Sequence, residues 1–300
     1  MRRNGLSRRP SDGATTAGAR AGMSAAEVSL LFLVQMGFGS MLTFLLNDRE
    51  ALGPKYFKFS GWVLVALFGL ALTLCGDSLL DASASTADRL TAWALVAATL
   101  GMLAFSSVAG WDRPRLETAV LVGSTLAAGL VVGAASWSRL PADASDTQRT
   151  LTLAGAYGSA LTLGFSTWGM ILGHWYLVSS DLSIKHLARL VTPLPWIFLG
   201  KALVSGLALW LMWSTFLGPG NHSLDDIMAR QPQRIIDVVN VWARIPVGLV
   251  VPAIMAFMTQ QTVRMEKTQP ATGILYAMCV TVYLGDLLGK MVEGATGVPL

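Results

Sequence analysis

The chain is short of the groups that do most protein chemistry: three histidines, two cysteines and 13% charged residues in 300 positions. Each shortage excludes something. Cys75 and Cys279 both fall inside apolar runs, which leaves no secreted disulfide framework, no C-x2-C zinc spacing and no cysteine-held iron–sulfur cluster. Of His174, His186 and His222, only His174 interrupts an apolar run, so a bis-His haem held between helices does not fit. A His–Met pair stays open among 13 methionines, yet no M-x-x-M run marks copper transport. His222 with Asp225 and Asp226 is too sparse for a metal site. There is no P-loop, no H-E-x-x-H and no G-x-S-x-G, and nothing beyond an Arg-rich tail suggests nucleic acid. An enzyme working alone on a soluble substrate is set aside.

What abounds is apolar length. With 53% hydrophobic residues and a mean hydropathy of +0.54, the chain is too apolar for a soluble domain. A hydrocarbon core about 30 Å thick takes about 20 helical residues. Eight runs qualify: Ala26 to Leu46, Phe59 to Gly76, Leu90 to Ala109, Thr118 to Trp137, Leu151 to Val178, Leu194 to Leu217, Val238 to Val263 and Ala271 to Val292. They are continuous rather than alternating, so the expected fold is an all-α, polytopic integral membrane helix bundle and not a barrel. Residues 1–24 read as a disordered basic N-terminal tail, with Met23 as an alternative start, and 25–300 as a single transmembrane helical domain. No cleavage site follows the first run, so it is not read as a signal peptide.

Loops after the odd spans carry Arg49, Lys55, Lys58, Arg113, Arg115, Lys185, Arg189, Arg264 and Lys267. Loops after the even spans carry fewer cations and many Asp residues. The positive-inside rule then puts the odd exits in the cytoplasm and both termini outside a plasma membrane, the bacterial inner membrane. The Arg-rich tail argues the reverse, and the loops are given precedence.

MGFGSMLTFLLN (Met36 to Asn47) and LGFSTWGMILGH (Leu163 to His174) align without gaps, with Asn47 opposite His174. The alignment suggests a 4+4 parallel repeat, a transporter layout. Gly129 and Gly133 form a G-x-x-x-G packing face. Pro246 and Pro252 predict a kink in the seventh span. Leu224, Ile227 and Met228 at helical spacing predict a short helix lying on the surface or docking a partner.

Ionisable groups inside spans are expensive and mark functional sites by default. Sorting span ends by chain direction puts Asn47, His174 and Lys201 on one side and Asp77, Arg244, Asp286, Lys290 and Glu293 on the other. His174 sits beside Trp175 and Tyr176, which suits either an interfacial aromatic girdle or a proton-exchanging contact to a flat ligand such as a quinone. Asp286 and Lys290 are four apart with the acid first, a self-neutralising order, and Arg244 is expected to hold Asp286 ionised from a second helix. Lys201 has a snorkelling escape to the interface. The leading expectation is a subunit of an electron-transfer assembly that handles protons or quinone, with other membrane or redox subunits as partners. A proton-coupled secondary transporter and a structural or assembly subunit are the alternatives. No cofactor is fixed by the residues, and oligomeric state is not legible.

Overall fold

The computed structural model describes residues 23–75, 81, 83–111, 113–141, 143–178, 182–217, 220, 223–225, 227 and 235–300. The basic tail, Asp77, His222, Asp226 and Met228 lie outside the described residues, and with them the expectations placed there.

Among the described residues all regular structure is helical. Ser24 starts α1 (Ala25–Leu46) through a capping box in which its hydroxyl accepts from the Glu27 amide while Glu27 accepts from the Ser24 backbone. The second helix, α2 (Arg49–Cys75), breaks at Gly53, whose φ of 73° only glycine adopts freely, and resumes at Pro54. Ser85 caps α3 (Thr86–Val108). Pro114 opens α4 (Pro114–Trp137) at a position where its missing N–H has no intrahelical partner to lose. The longest helix is α5 (Asp146–Val178). A short α6 (Lys185–Val191) leads into α7 (Leu194–Leu211) and α8 (Trp213–Leu217). Then α9 (Ile235–Arg244), a π-helical turn (Ile245–Val250) and α10 (Val251–Arg264) form one long rod, and α11 (Thr268–Thr296) ends on Gly297 in the left-handed conformation. The expected proline kink takes the form of that π turn. Pro252 in a regular helix would press its ring on the Gly248 carbonyl, and the wider turn removes the clash.

Among the described residues seven helices are long and apolar enough to cross a membrane, which suggests a multi-pass membrane architecture: α1, α2, α3, α4, the α6–α7 stretch, the α9–α10 rod and α11. The eighth expected span, α5, is 33 residues long, but its Gly, Ser and Thr keep it out of that set. Its position explains why. It lies against α1, α4, α7 and α11, with Ser159, Thr162, Ser166, Thr167 and Trp168 all buried. The outward faces of the other helices carry the apolar surface instead, for example Leu126, Leu203 and Trp210 at 66%, 65% and 74% exposure.

At the α1–α5 crossing, a Cβ on Gly39 would meet the Ala160 carbonyl group, and one on Gly164 would run into the Gly39 backbone. Packing around this pair follows a pattern: α1 touches α2 and α4, α2 touches α3, and α3 touches α4; α5 touches α7 and α11, α7 touches α10, and α10 touches α11. Among the described residues two apolar clusters fill the bundle. The larger holds the ring nest of Phe44, Phe57, Phe105 and Trp168. The smaller joins Met212, Phe216, Val241, Val292 and Val298. Ile227, 1% exposed, and Leu224 pack into the smaller cluster, so these two residues of the segment expected to lie on the surface turn inward.

Candidate functional site

On α11 the residues Asp286, Lys290 and Glu293 recur every three or four positions and therefore share one face. Asp286 and Lys290 are 6% and 3% exposed and form an ion pair along the helix. The Lys290 ammonium also donates to Gln35 Oε1 on α1 at 2.6 Å. Arg244, 3% exposed, closes the layer from α9. Its Nη1 donates to the Gly285 carbonyl at 2.5 Å, while its Nε and Nη2 have no hydrogen-bond partner among the described residues. The expected Arg244–Asp286 pair is thus replaced by two separate contacts, because Lys290 on the same helix reaches the carboxylate first.

Two glycines on α11 make room for this arrangement. A Cβ on Gly289 would enter the Arg244 guanidinium, and Gly285 lies against Gly248 of the π turn so closely that a Cβ on either would strike backbone. Here a G-x-x-x-G spacing seats a charged side chain as well as a helix. At Gly129 and Gly133, where the same spacing was read as a helix-packing face, a Cβ would meet Phe38 and Tyr157 side chains.

Lys201 is placed differently from expectation. It does not snorkel to the His174 side. Its ammonium donates to the Gly155 carbonyl on α5 at 3.0 Å, its stem lies over Gly158, and it is within electrostatic reach of Arg244, Asp286, Lys290 and Glu293. Seven residues into α7 carries it about 10 Å inward, far enough for a long side chain to join the opposite layer.

Beyond Glu293 the layer opens into a cavity of about 610 Å³. It lies among the ends of six helices and is lined by Glu27, Asp88, Arg139, Gln148, Cys75 and Glu293, among others. Arg139 donates to the Ala135 carbonyl; the cost of desolvation on burial holds its guanidinium below the usual arginine range, while the nearby carboxylates of Glu27, Glu293 and Asp88 offset part of that lowering. Compared with family models, curated proteins and solved structures, the chain matches none. Its function has to be read from this geometry.

The other end of the bundle holds His174. It is exposed, and its Nδ1 lies 3.1 Å from the Tyr276 hydroxyl. Trp175 packs on Tyr56 and Phe59. Tyr176 is buried, donates to the Ser183 carbonyl at 2.5 Å and accepts from the Leu187 amide, which pins the loop into α6. Asn47 is buried with both side-chain polar atoms unpartnered among the described residues, so it and His174, aligned by the suggested repeat, have unlike surroundings. A lateral cleft of about 800 Å³ lies on this side between Leu46, Lys185, Arg189 and Trp196, and His174 does not line it.

Sequence reasoning missed Gln35, Arg139, Glu27 and Asp88. Glu27 and Asp88 stand in the first turns of α1 and α3, three residues after the caps Ser24 and Ser85, where acids are common.

Proposed function

We propose that the protein is a proton-coupled secondary transporter with eight crossings, α5 being the interior one. One observation carries the reading: a buried, closely packed set of charges, Lys201, Arg244, Asp286 and Lys290, where α5, α7, α9 and α11 meet. Groups of this kind inside a membrane bundle are costly to keep and serve ion or proton movement by default. Three further features support it. Met23 lies against Gly294, so the start of α1 and the end of α11 are neighbours, which favours an even number of crossings. The neighbours of each helix in the first set of four recur in the second, as a 4+4 repeat requires. The charged layer adjoins a cavity at one end, while the aromatic nest fills the bundle on the other side, as in a transporter open to one face.

The test uses proteoliposomes loaded with a pH-sensitive dye and challenged in turn with amines, organic acids and alkali salts. At least one class should move protons through wild-type protein, and Asp286→Asn should abolish that movement. Solute flux at wild-type rate in Asp286→Asn would sink the coupling. Orientation follows from labelling intact cells at Ser183→Cys and Ser223→Cys. An impermeant reagent should reach only the second if both termini and the His222 loop are outside.

A second reading, a subunit of an electron-transfer assembly that handles protons or quinone, rests on the exposed His174–Tyr276 pair. Loss of quinone-analogue binding in His174→Gln would favour it, since glutamine keeps the size and hydrogen bonding of the side chain but cannot exchange a proton.

A further inference from the structure

We propose that the cavity is the aqueous vestibule through which protons reach the Asp286–Lys290 pair, and that Glu293 exchanges them between the two. The inference rests on the transport reading and adds the route. Glu293 is the one residue of the α11 charged stripe that also lines the cavity; it stands three positions from Lys290, and Gly297, four positions further on, lines the cavity as well. The charged groups around it come from every side: Lys290 on its own helix, Lys201 on α7, Arg244 on α9 and Arg139 after α4, with Glu27 of α1 and Asp88 of α3 across the cavity. Four cations within reach offset part of the cost of burying a carboxylate at this point, and the open cavity supplies the water that must bring and remove its proton.

The transfer balances without an outside reagent. A hydronium ion in the cavity gives its proton to the Glu293 carboxylate and leaves water. The Lys290 ammonium passes a proton to Asp286 along the contact it already makes, breaking N–H and forming O–H, and the resulting amine takes the proton of Glu293. Glu293 returns to a carboxylate, Lys290 to an ammonium, and Asp286 is left neutral. Lys290 is then free of its counter-ion while Gln35 still holds it at 2.6 Å.

Two measurements test the route. Cys75 lines the cavity and Cys279 is buried within the bundle, so the native thiols serve as probe and reference, assigned with Cys75→Ser and Cys279→Ser. A quaternary-ammonium methanethiosulfonate should label Cys75 from one membrane face and leave Cys279 untouched; no reaction of Cys75 from either face overturns the vestibule. Infrared spectra of reconstituted protein after a pH jump should show a carboxylic-acid band that Asp286→Asn removes. Glu293→Gln should keep that band and slow its appearance about a hundredfold, and Glu293→Asp should restore part of the rate. An unchanged rate in Glu293→Gln overturns the role of Glu293 and leaves the transport reading standing. Absence of any band that depends on Asp286 overturns the transport reading itself. Should Glu293→Gln fail to fold, Glu293→Asp and the Cys75 label decide.

Discussion

Tyr276 and Asp286 stand ten residues apart on α11, and each is the partner of a group that apolar spans rarely contain. Tyr276 meets His174 where both side chains are exposed, one hydrogen bond at 3.1 Å with room around it. Asp286 meets Lys290 with both nearly sealed from solvent, beside Arg244 and Lys201 and between glycines that leave no spare volume. The difference lies in what each pair costs to hold. A pair at the interface trades water for a neighbour and back at little expense, whereas a buried pair keeps its place only while its geometry is intact. Four variants test that contrast.

The largest effect is expected from Asp286→Ala, which leaves Lys290 without its carboxylate among two other buried cations. Breaking a buried pair by removing one partner costs about 3–5 kcal/mol. The melting temperature in detergent should fall by many degrees, and Lys290→Met in the same background should recover most of the loss. Additive losses in the double variant would mean that the two residues do not interact.

Next comes Gly289→Ala. The new methyl group enters the Arg244 guanidinium, an overpacking penalty of about 1–3 kcal/mol. Gly200→Ala is the control, since nothing lies within 4 Å of its added Cβ. Equal melting temperatures for the two variants would remove the seat assigned to Arg244.

Lys201→Met should separate stability from activity. Lys201 bonds a backbone carbonyl and lies near the like charges of Arg244 and Lys290, so losing its charge breaks one hydrogen bond and relieves repulsion; the variant should melt within a few degrees of wild type and yet lose proton-coupled flux. Retained flux would place Lys201 outside the mechanism. The smallest effect is expected at the other end. His174→Gln changes an exposed group and should shift stability by less than about 0.5 kcal/mol, with flux intact. A large loss of flux there would move the working site to the opposite face.

The spans were legible because lipid demands continuous apolar length, and seven of the eight runs match helices that qualify to within a few residues at most ends. The second began ten residues earlier than read, at Arg49, because Gly53 and Pro54 hid a helical turn. The Asp286–Lys290 spacing was legible for a similar reason: helical period alone brings them together. Lys201 was not. Its depth along α7 could be counted, but the direction of a long flexible side chain depends on Gly155 and Gly158 of another helix, which no local pattern announces. Gln35 and Arg139 escaped because each is ordinary in its own segment and gains meaning only from α11 across the bundle.

The polarity of α5 bears on how the molecule comes to exist. A newly made helix leaves the insertion machinery for lipid in proportion to its own apolar character, and α5 has less of it than any of the seven. On the eight-crossing reading, α5 would not stay in the bilayer by itself. It needs α1 and α4, both synthesised before it, as a receiving surface, with Gly39 and Ala160 to Gly164 as the first contact. Biogenesis would therefore proceed through a four-helix intermediate that waits, held near the insertion site, until its central member arrives. A truncated chain ending before α5 should be captured by insertases and proteases rather than released.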